Sequence, residues 1–328
     1  MKKVREAKPL ISIVMAVYKP NEVFLRKQLI SLDNQYYPNL ELIICDDSGD
    51  QSNLDEKLYE IISNTIKNFK WKLSSNKQNI GSNSTFEQLT ESAEGQYIAY
   101  CDQDDIWEPN KLDLLYESIE KNGAILAYSD LCIIDRDDQI LHRPLRRLAP
   151  RLKHVYGDRL YRYFIKRNSV TGCTILVNSE IAKEAVPFLN GFVHDHWLAL
   201  YASTKGSIAY VPKPLVRYRI HTGNQIGASR FIGINSKADY LNARLYPKKA
   251  ELTQLIKRFA KPEVIKVINA ELININQRIA FLERKSVTNF MRLIVVCYKD
   301  PVLLLFEFLL SFTVFGFDRI FLKCIKKF

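Results

Sequence analysis

Gln96-Tyr-Ile-Ala-Tyr-Cys-Asp-Gln-Asp-Asp-Ile-Trp-Glu-Pro-Asn-Lys111 is the stretch on which the fold turns. Its first six residues form an apolar run with the length and composition of a buried strand. Trp107-Glu-Pro-Asn-Lys reads as a loop feeding a helix, with Pro109 in the first turn, where its missing N–H does no harm. Between them stand three carboxylates, Asp102, Asp104 and Asp105. Like charges crowded at a strand end need a cation. In open α/β sheets ligands sit at the carboxyl edge, and a hard ion such as Mg²⁺ or Mn²⁺ takes carboxylate oxygens together with the phosphates of its substrate. The pattern implies a divalent metal and a diphosphate, against the simpler reading of a solvated acidic loop.

Outward from this strand, the first 130 residues alternate apolar runs with amphipathic patterns. Strands are expected at 11–17, 40–45, 70–74 and 96–101, and helices at 22–32, 55–67 and 82–92. Such alternation predicts βαβ units, hence an α/β domain with a mostly parallel sheet flanked by helices. Two of the strands end in carboxylates, Asp46-Asp47 and Asp102, and neighbouring parallel strands would bring those ends together. No G-x-G-x-x-G follows the first strand and no G-x-x-x-x-G-K-[ST] occurs, so dinucleotide hydride transfer and P-loop hydrolysis are excluded. From about residue 243 the pattern turns helical, with apolar stripes in 250–257 and 264–272 and Pro262 between them. The expected domains are residues 1–242 and a helical appendage over 243–328.

The formal net charge of +11 is unevenly placed. Residues 1–135 hold 14 basic and 22 acidic side chains, whereas 243–328 hold 16 and 7. The basic segments lack the aromatic and glycine interleaving of single-strand binders, and the acidic first half would repel phosphate backbones, so nucleic acid is not an expected partner. The basic tail is instead apolar in company. Val302–Phe317 spans 16 residues around Glu307, about 24 Å as a helix. That is short of a spanning helix, so the stretch is expected to lie on a bilayer, flanked by Arg292, Lys299, Arg319, Lys323, Lys326 and Lys327, or to dock on the protein. The arginine-rich stretch 143–153 reads as a long mobile loop over the site. Six scattered cysteines with no C-x-x-C pair imply neither zinc nor disulfides and suit a reduced, cytoplasmic setting. Met-Lys-Lys-Val-Arg5 followed by the apolar run 10–18 imitates a secretory signal, but it lacks a convincing cleavage site and reads as the first buried strand.

Four segments stand in order: Ile11–Tyr18 with Pro20; Leu42–Ser48; Asn79-Ile-Gly81 followed by Asp102–Asp105; and His194-Asp-His-Trp197 followed by Tyr218-Arg-Ile-His221-Thr-Gly-Asn224-Gln-Ile-Gly227. Over roughly residues 9–230 this series resembles the family-2 glycosyltransferases of the GT-A fold, a Rossmann-like nucleotide-diphosphosugar transferase fold. Within them it is closest to the bacterial rhamnosyltransferase branch, where D-x-D-D, H-D-x-W and R-x-H-x-x-N-x-x-G occur together. The resemblance implies that Asp46 and Asp47 contact the donor's base and ribose, with Asp102, Asn79 and Gly81 in the same pocket. Carboxylates suit such hydroxyl and N–H donors, although a cap or turn aspartate would explain Asp46 and Asp47 as simply. It further implies Asp104 as ligand of Mg²⁺ or Mn²⁺, His221 as a second ligand or a donor to the diphosphate, and Asp105 as a partner of the metal's waters or the acceptor. Arg217, Arg219 and Asn224 would meet the diphosphate, and Trp197 would line the acceptor pocket or the core. Asp195, about 90 residues after the metal motif, falls at the family's base position. Many members carry Glu-Asp there, and His194-Asp195 in this chain leaves open whether His194 shares that role.

The expected activity is metal-dependent inverting transfer, with dTDP-L-rhamnose as donor and a lipid-linked saccharide as acceptor, peripheral on the inner face of the cell membrane in bacterial surface polysaccharide synthesis. A UDP-hexose or UDP-N-acetylhexosamine donor is the alternative within the class. A non-catalytic sugar-nucleotide binding or assembly partner is the alternative outside it, disfavoured because a binding shell needs no base.

Overall fold

The apolar run Ile11–Val17 forms β1, with six of its seven residues buried. On one side it pairs in parallel with β2 (Leu40–Asp46), which carries β3 (Lys70–Ser75) beyond it, and on the other with β4 (Tyr97–Cys101). The crossovers are α1 (Glu22–Asp33), α2 (Ser52–Thr65) and α3 (Ser82–Ser92). The order β3-β2-β1-β4 reverses its direction of growth between β1 and β4, the switch point at which such sheets open a crevice at their carboxyl edge. Met15 lies level with Cys101 and Val17 with Asp46. Asp46 and Asp102 therefore share that edge, but they end strands on either side of β1 rather than paired strands.

Beyond β4 the sheet becomes mixed. β8 (Ile175–Asn178) runs antiparallel between β4 and β6 (Leu126–Ile134), β9 (Ile208–Arg219) is parallel to β6, and β7 (Ile140–His142) pairs antiparallel with β6. Pro212 and Lys213 fall in a break of the β6–β9 register, a place where proline costs the ladder no hydrogen bond. Past this break, Val216 and Arg217 pair antiparallel with β5 (Ile106–Trp107). That pairing explains why Pro109 is not in a first helical turn: Glu108 N–H donates to Leu215 O at 3.0 Å, which prolongs the extended chain, and α4 (Lys111–Asn122) starts two residues after the proline, with Asn110 as its N-cap. The interior beside the sheet is built of Ile13, Met15, Leu42, Ile44, Leu29, Leu112 and Leu176 among others, each such side chain worth about 1.5–3 kcal/mol when removed from water.

The computed structural model describes residues 7–49, 52–142, 153–220, 233–298, 300–313, 316, 318, 319 and 322. The arginine-rich loop expected over 143–153 lies, except for Lys153, outside the described residues. The chain divides into two compact units, Met1–Gly223 and Asn224–Phe328. Among the described residues of the first unit are also α5 (Tyr161–Phe164), α6 (Ser179–Glu184) and α7 (His194–Lys205). The five described cysteines are buried and none of them is in a disulfide.

The second unit is helical: α8 (Lys237–Tyr240) runs through a π-turn into α9 (Tyr246–Arg258), followed by α10 (Pro262–Glu283), α11 (Val287–Cys297) and α12 (Pro301–Leu310). Pro262 opens α10, where it satisfies rather than breaks the helix. The apolar stretch from Val302 is shorter as a helix than expected, since α12 stops at Leu310. Its one acid, Glu307, is fully buried, and Oε1 accepts from Arg278 Nε at 2.9 Å, Arg278 Nη2 at 2.7 Å and the Tyr240 hydroxyl at 2.9 Å. Among the described residues no helix is long and apolar enough to cross a membrane.

Candidate active site

The D-x-D-D turn leaves the sheet at the end of β4 and is braced by neighbouring chain. Gln103 imitates a strand partner, its Oε1 accepting from Tyr18 N–H at 2.8 Å and its Nε2 donating to Tyr18 O at 3.1 Å. Arg219, the last residue of β9, is fully buried. Its Nε donates to the Asp104 carbonyl at 2.8 Å, its Nη1 to the Asp135 carbonyl at 2.9 Å and to the Asp138 carboxylate at 2.5 Å, and its guanidinium lies over Phe24. The Arg219 backbone N–H donates to Asp105 Oδ1 at 3.0 Å. Arg217 pairs with Glu108 at 2.8 Å. Of the two arginines expected from sequence at a phosphate, Arg219 braces the acidic turn, and Arg217 is held by Glu108 just beyond it.

Asp102 and Asp104 are partly exposed, and Asp105 is fully buried. Asp102, Asp105 and Cys173 bring potential ligand atoms within 4.8 Å of one another. Burial, then the Asp104 and Asp195 charges, push the Asp102 carboxyl up to about 7. Burial and its acidic neighbours hold Asp105 well above the usual range, and burial does the same for the Cys173 thiol. A protonated thiol is no ligand for a hard ion. The carboxylates of this group, Asp102 and Asp105, have the chemistry that fits Mg²⁺ or Mn²⁺, and a cation there would relieve their crowding.

Lys111 was not singled out from sequence. It is fully buried, with Nζ 2.8 Å from the centroid of the Trp107 ring. Burial draws its pKa down to about 7, against the opposing pull of its acidic neighbours, Asp105 and Asp102 among them. It supplies a buried counter-charge to the acidic turn. The signal in sequence was a lysine at the foot of a helix four residues past a tryptophan, which reads there as an ordinary solvated side chain.

Asp195 lies in the first turn of α7 and is buried. Three donors hold its carboxylate: Asn168 Nδ2 to Oδ1 at 3.0 Å, His196 N–H to Oδ1 at 2.5 Å, and Gly172 N–H to Oδ2 at 3.1 Å. Burial pushes its pKa up to about 6 despite these donors, each of which favours the ionised form. Its donor Gly172 precedes Cys173, whose thiol lies within 4.8 Å of an Asp102 oxygen, so Asp195 and Asp102 belong to one site. Asn168, also missed from sequence, is itself anchored by Val170, donating to its carbonyl at 2.9 Å and accepting from its N–H at 3.0 Å.

His194 is buried against the rings of Phe86 (4.2 Å between centroids) and Tyr100 (5.5 Å). Burial lowers its pKa to about 3, so it is neutral at physiological pH and a weak base. A Cβ at Gly172 would stand 2.4 Å from His194 Nε2, so the glycine and the histidine are fitted to each other. Trp197 is fully buried, with its indole N–H on the Ala185 carbonyl at 2.8 Å, and belongs to the core.

Asp47 organises the neighbouring rim. Oδ1 accepts from Asn76 Nδ2 (2.8 Å) and Ile80 N–H (2.9 Å), and Oδ2 from Asn79 Nδ2 (3.1 Å) and Gly81 N–H (2.9 Å). Gly81 stands at φ +84°, a left-handed conformation that lets its N–H face the carboxylate while it caps α3. Asp46 is buried, its Oδ1 accepting from Ser48 N–H at 2.9 Å. The structure thus gathers Asp46, Asp47, Asn79 and Gly81 along one rim, and Asp102, Asp104, Asp105 and Asp195 into one acidic group. His221 and Asn224 lie outside the described residues.

Comparison with known proteins agrees with this geometry. The chain is similar to an Escherichia coli protein named UDP-Glc:alpha-D-GlcNAc-diphosphoundecaprenol beta-1,3-glucosyltransferase, 27% identical over 71% of this chain and 85% of the relative. It is also similar to the dTDP-rhamnosyl transferase of Shigella flexneri, 26% identical over 78% and 84%. Among solved structures, residues 1–349 of S. aureus TarS in complex with UDP-GlcNAc match with a TM-score of 0.56 and 14% identity, covering 88% of this chain and 80% of that one. The mixed sheet with flanking helices is thus the GT-A-like fold, with a helical C-terminal region added. The model of glycosyl transferase family 2 matches residues 12–184, more than half of the chain, and the chain belongs to that family.

Proposed function

We propose that this glycosyltransferase moves L-rhamnose from dTDP-L-rhamnose to a lipid-linked saccharide by metal-dependent inverting displacement. Residues 1–242 form the catalytic part in this reading, and 243–328 associate with the inner face of the cell membrane. The observation that carries the mechanism is Asp195, a buried carboxylate bedded in three N–H donors, electrostatically joined to Asp102 and titrating near 6. At neutral pH it is ionised and able to take a proton.

In the proposed step the acceptor hydroxyl oxygen attacks the anomeric carbon, and its proton passes to the Asp195 carboxylate. The bond from that carbon to the nucleoside diphosphate breaks, and the diphosphate leaves with the bonding electrons. Base assistance of this kind is worth ~10²–10⁴ in rate. Asp104, with Asp102 and His221, would hold a divalent cation, which when bound neutralises charge on the diphosphate. Asp46, together with the turn that Asp47 holds, would receive the nucleoside. Arg219 and Lys111 keep the acidic turn in place.

The Shigella relative's name supports a rhamnosyl donor. The E. coli relative's name and the UDP-GlcNAc held by the S. aureus neighbour favour a second reading, the same displacement from a UDP-sugar. Hydrolysis of a panel of dTDP- and UDP-sugars, with and without Mn²⁺, tests both. Metal-dependent release of dTDP from dTDP-rhamnose, lost in Asp104→Ala, is expected. Turnover of a UDP-sugar alone would move the donor to the second reading, and absence of both turnover and binding would sink the catalytic one.

A further inference from the structure

We propose that the outer face of α11 is the surface by which the protein docks on an anionic lipid bilayer. This rests on the reading above only for its membrane setting and names the surface and the lipid chemistry.

Helix α11 is apolar on two faces. Leu293 and Cys297 are buried, and Phe290 packs against Phe281 and Phe308 at 5.7 and 5.2 Å between ring centroids, which accounts for its inner face. Val287, Met291 and Val295 follow at i, i+4 and i+8, with Tyr298 next after the helix at i+11, so they form a second stripe about 120° further round. All four are exposed, at 81, 57, 68 and 65%. Val302 and Leu305 on α12 are exposed as well, at 65 and 58%. A helix that is apolar around most of its girth ordinarily belongs in an interior. Here the second stripe faces solvent, and a contiguous apolar stripe of this kind marks an interaction surface.

Charge selects the occupant. Residues 224–328 contain 18 basic and 8 acidic side chains, a net +10, whereas 1–135 carry −8. Among the exposed residues next to the stripe are Arg284 and Lys285 before α11 and Arg292 within it. Basic residues beside an apolar stripe, with a tyrosine at its end, match the chemistry of a bilayer interface, where acyl chains receive the apolar side chains and anionic headgroups meet the cations. An apolar protein partner would have no use for the excess of positive charge. With no described helix able to cross a membrane, such docking is peripheral.

The test is flotation of the purified full chain with vesicles of phosphatidylglycerol and phosphatidylcholine, or of phosphatidylcholine alone. Binding is expected to the anionic vesicles, to weaken in high salt, and to fall about tenfold or more in Met291→Glu/Val295→Glu. Both substituted residues are exposed, so the variant should keep its circular dichroism and its donor hydrolysis. Equal binding by the variant, or no binding by the native chain, would overturn the assignment. So would light scattering that shows a dimer dispersed by the same substitutions, since the stripe would then join two copies. Donor hydrolysis is read on the same samples without vesicles, so failure of the catalytic reading and failure of docking are separate results.

Discussion

Asn168 and Asp195 stand 27 positions apart in sequence, yet the side-chain amide of the first donates to the carboxylate of the second at 3.0 Å. The loop from Asn168 to Gly172 supplies two of the three donors around that carboxylate. Asn168→Ala removes a hydrogen bond made to the charged form, a bond worth roughly 1.5–3 kcal/mol. The proton is then held more tightly, so the acidic limb of kcat/KM should move to higher pH by about one unit or more, with donor KM little changed. A limb that stays in place would show that Asn168 does not act through the base.

The acidic limb of the native enzyme is itself an expected outcome. Asp195 titrates near 6, above the usual carboxylate value, because burial disfavours its charge. Below that pH it is protonated and cannot accept, so kcat/KM should fall as pH drops through about 6. Asp195→Asn should lose ~10²–10⁴ in transfer while donor binding, measured by calorimetry, persists. Retention of transfer by this variant would remove Asp195 from the base position.

Gly172→Ala places a methyl group 2.4 Å from His194 Nε2 and 3.1 Å from Cε1. The imidazole is packed on Phe86 and Tyr100 and has little room to move. Overpacking of this kind costs about 1–3 kcal/mol. His194→Ala vacates the contested space, so in urea denaturation the double variant should be less destabilised than the sum of the singles. Strict additivity would contradict the close fit.

Arg219→Lys keeps the charge and loses the fork. The guanidinium serves three carbonyls and one carboxylate, which an ammonium on a different stem cannot reproduce. A loss of about 2–4 kcal/mol in urea denaturation is expected, together with weaker Mn²⁺ binding, since the Asp104 carbonyl is released. A lysine variant with native stability and metal affinity would reduce Arg219 to a surface-type charge.

Most of the first half of the sheet was legible because its signals are local. The strands of β1 to β4 and the helices between them are each announced by a run of apolar residues or a helical period, and the observed ends fall within a few residues of those expected. The D-x-D-D turn was legible for the same reason. What was not legible depends on distant pairing. The two-residue β5 exists only because β9, more than 100 residues later, lies beside it. Cys173, Gly172 and Asn168 reach the acidic group because β8 runs antiparallel to β4, and nothing local says so. Arg217 and Arg219 carry the residue type that meets phosphate, but which acceptors surround a guanidinium is decided by chain folded from elsewhere. Sequence likewise could not tell that Lys111 is buried, with its ammonium over the Trp107 ring.

Glu307 was conspicuous in sequence as a charge in a greasy helix, and its pairing limits what the second unit can do. Arg278 and Tyr240 clasp it from α10 and α8. For α12 to sink among lipid tails it would have to drag an ion pair with it or leave Arg278 stranded, either at several kcal/mol. The clasp would act as a depth stop: under the docking proposed above, the unit would rest on the bilayer surface and could leave it again, without being moored to one patch of membrane.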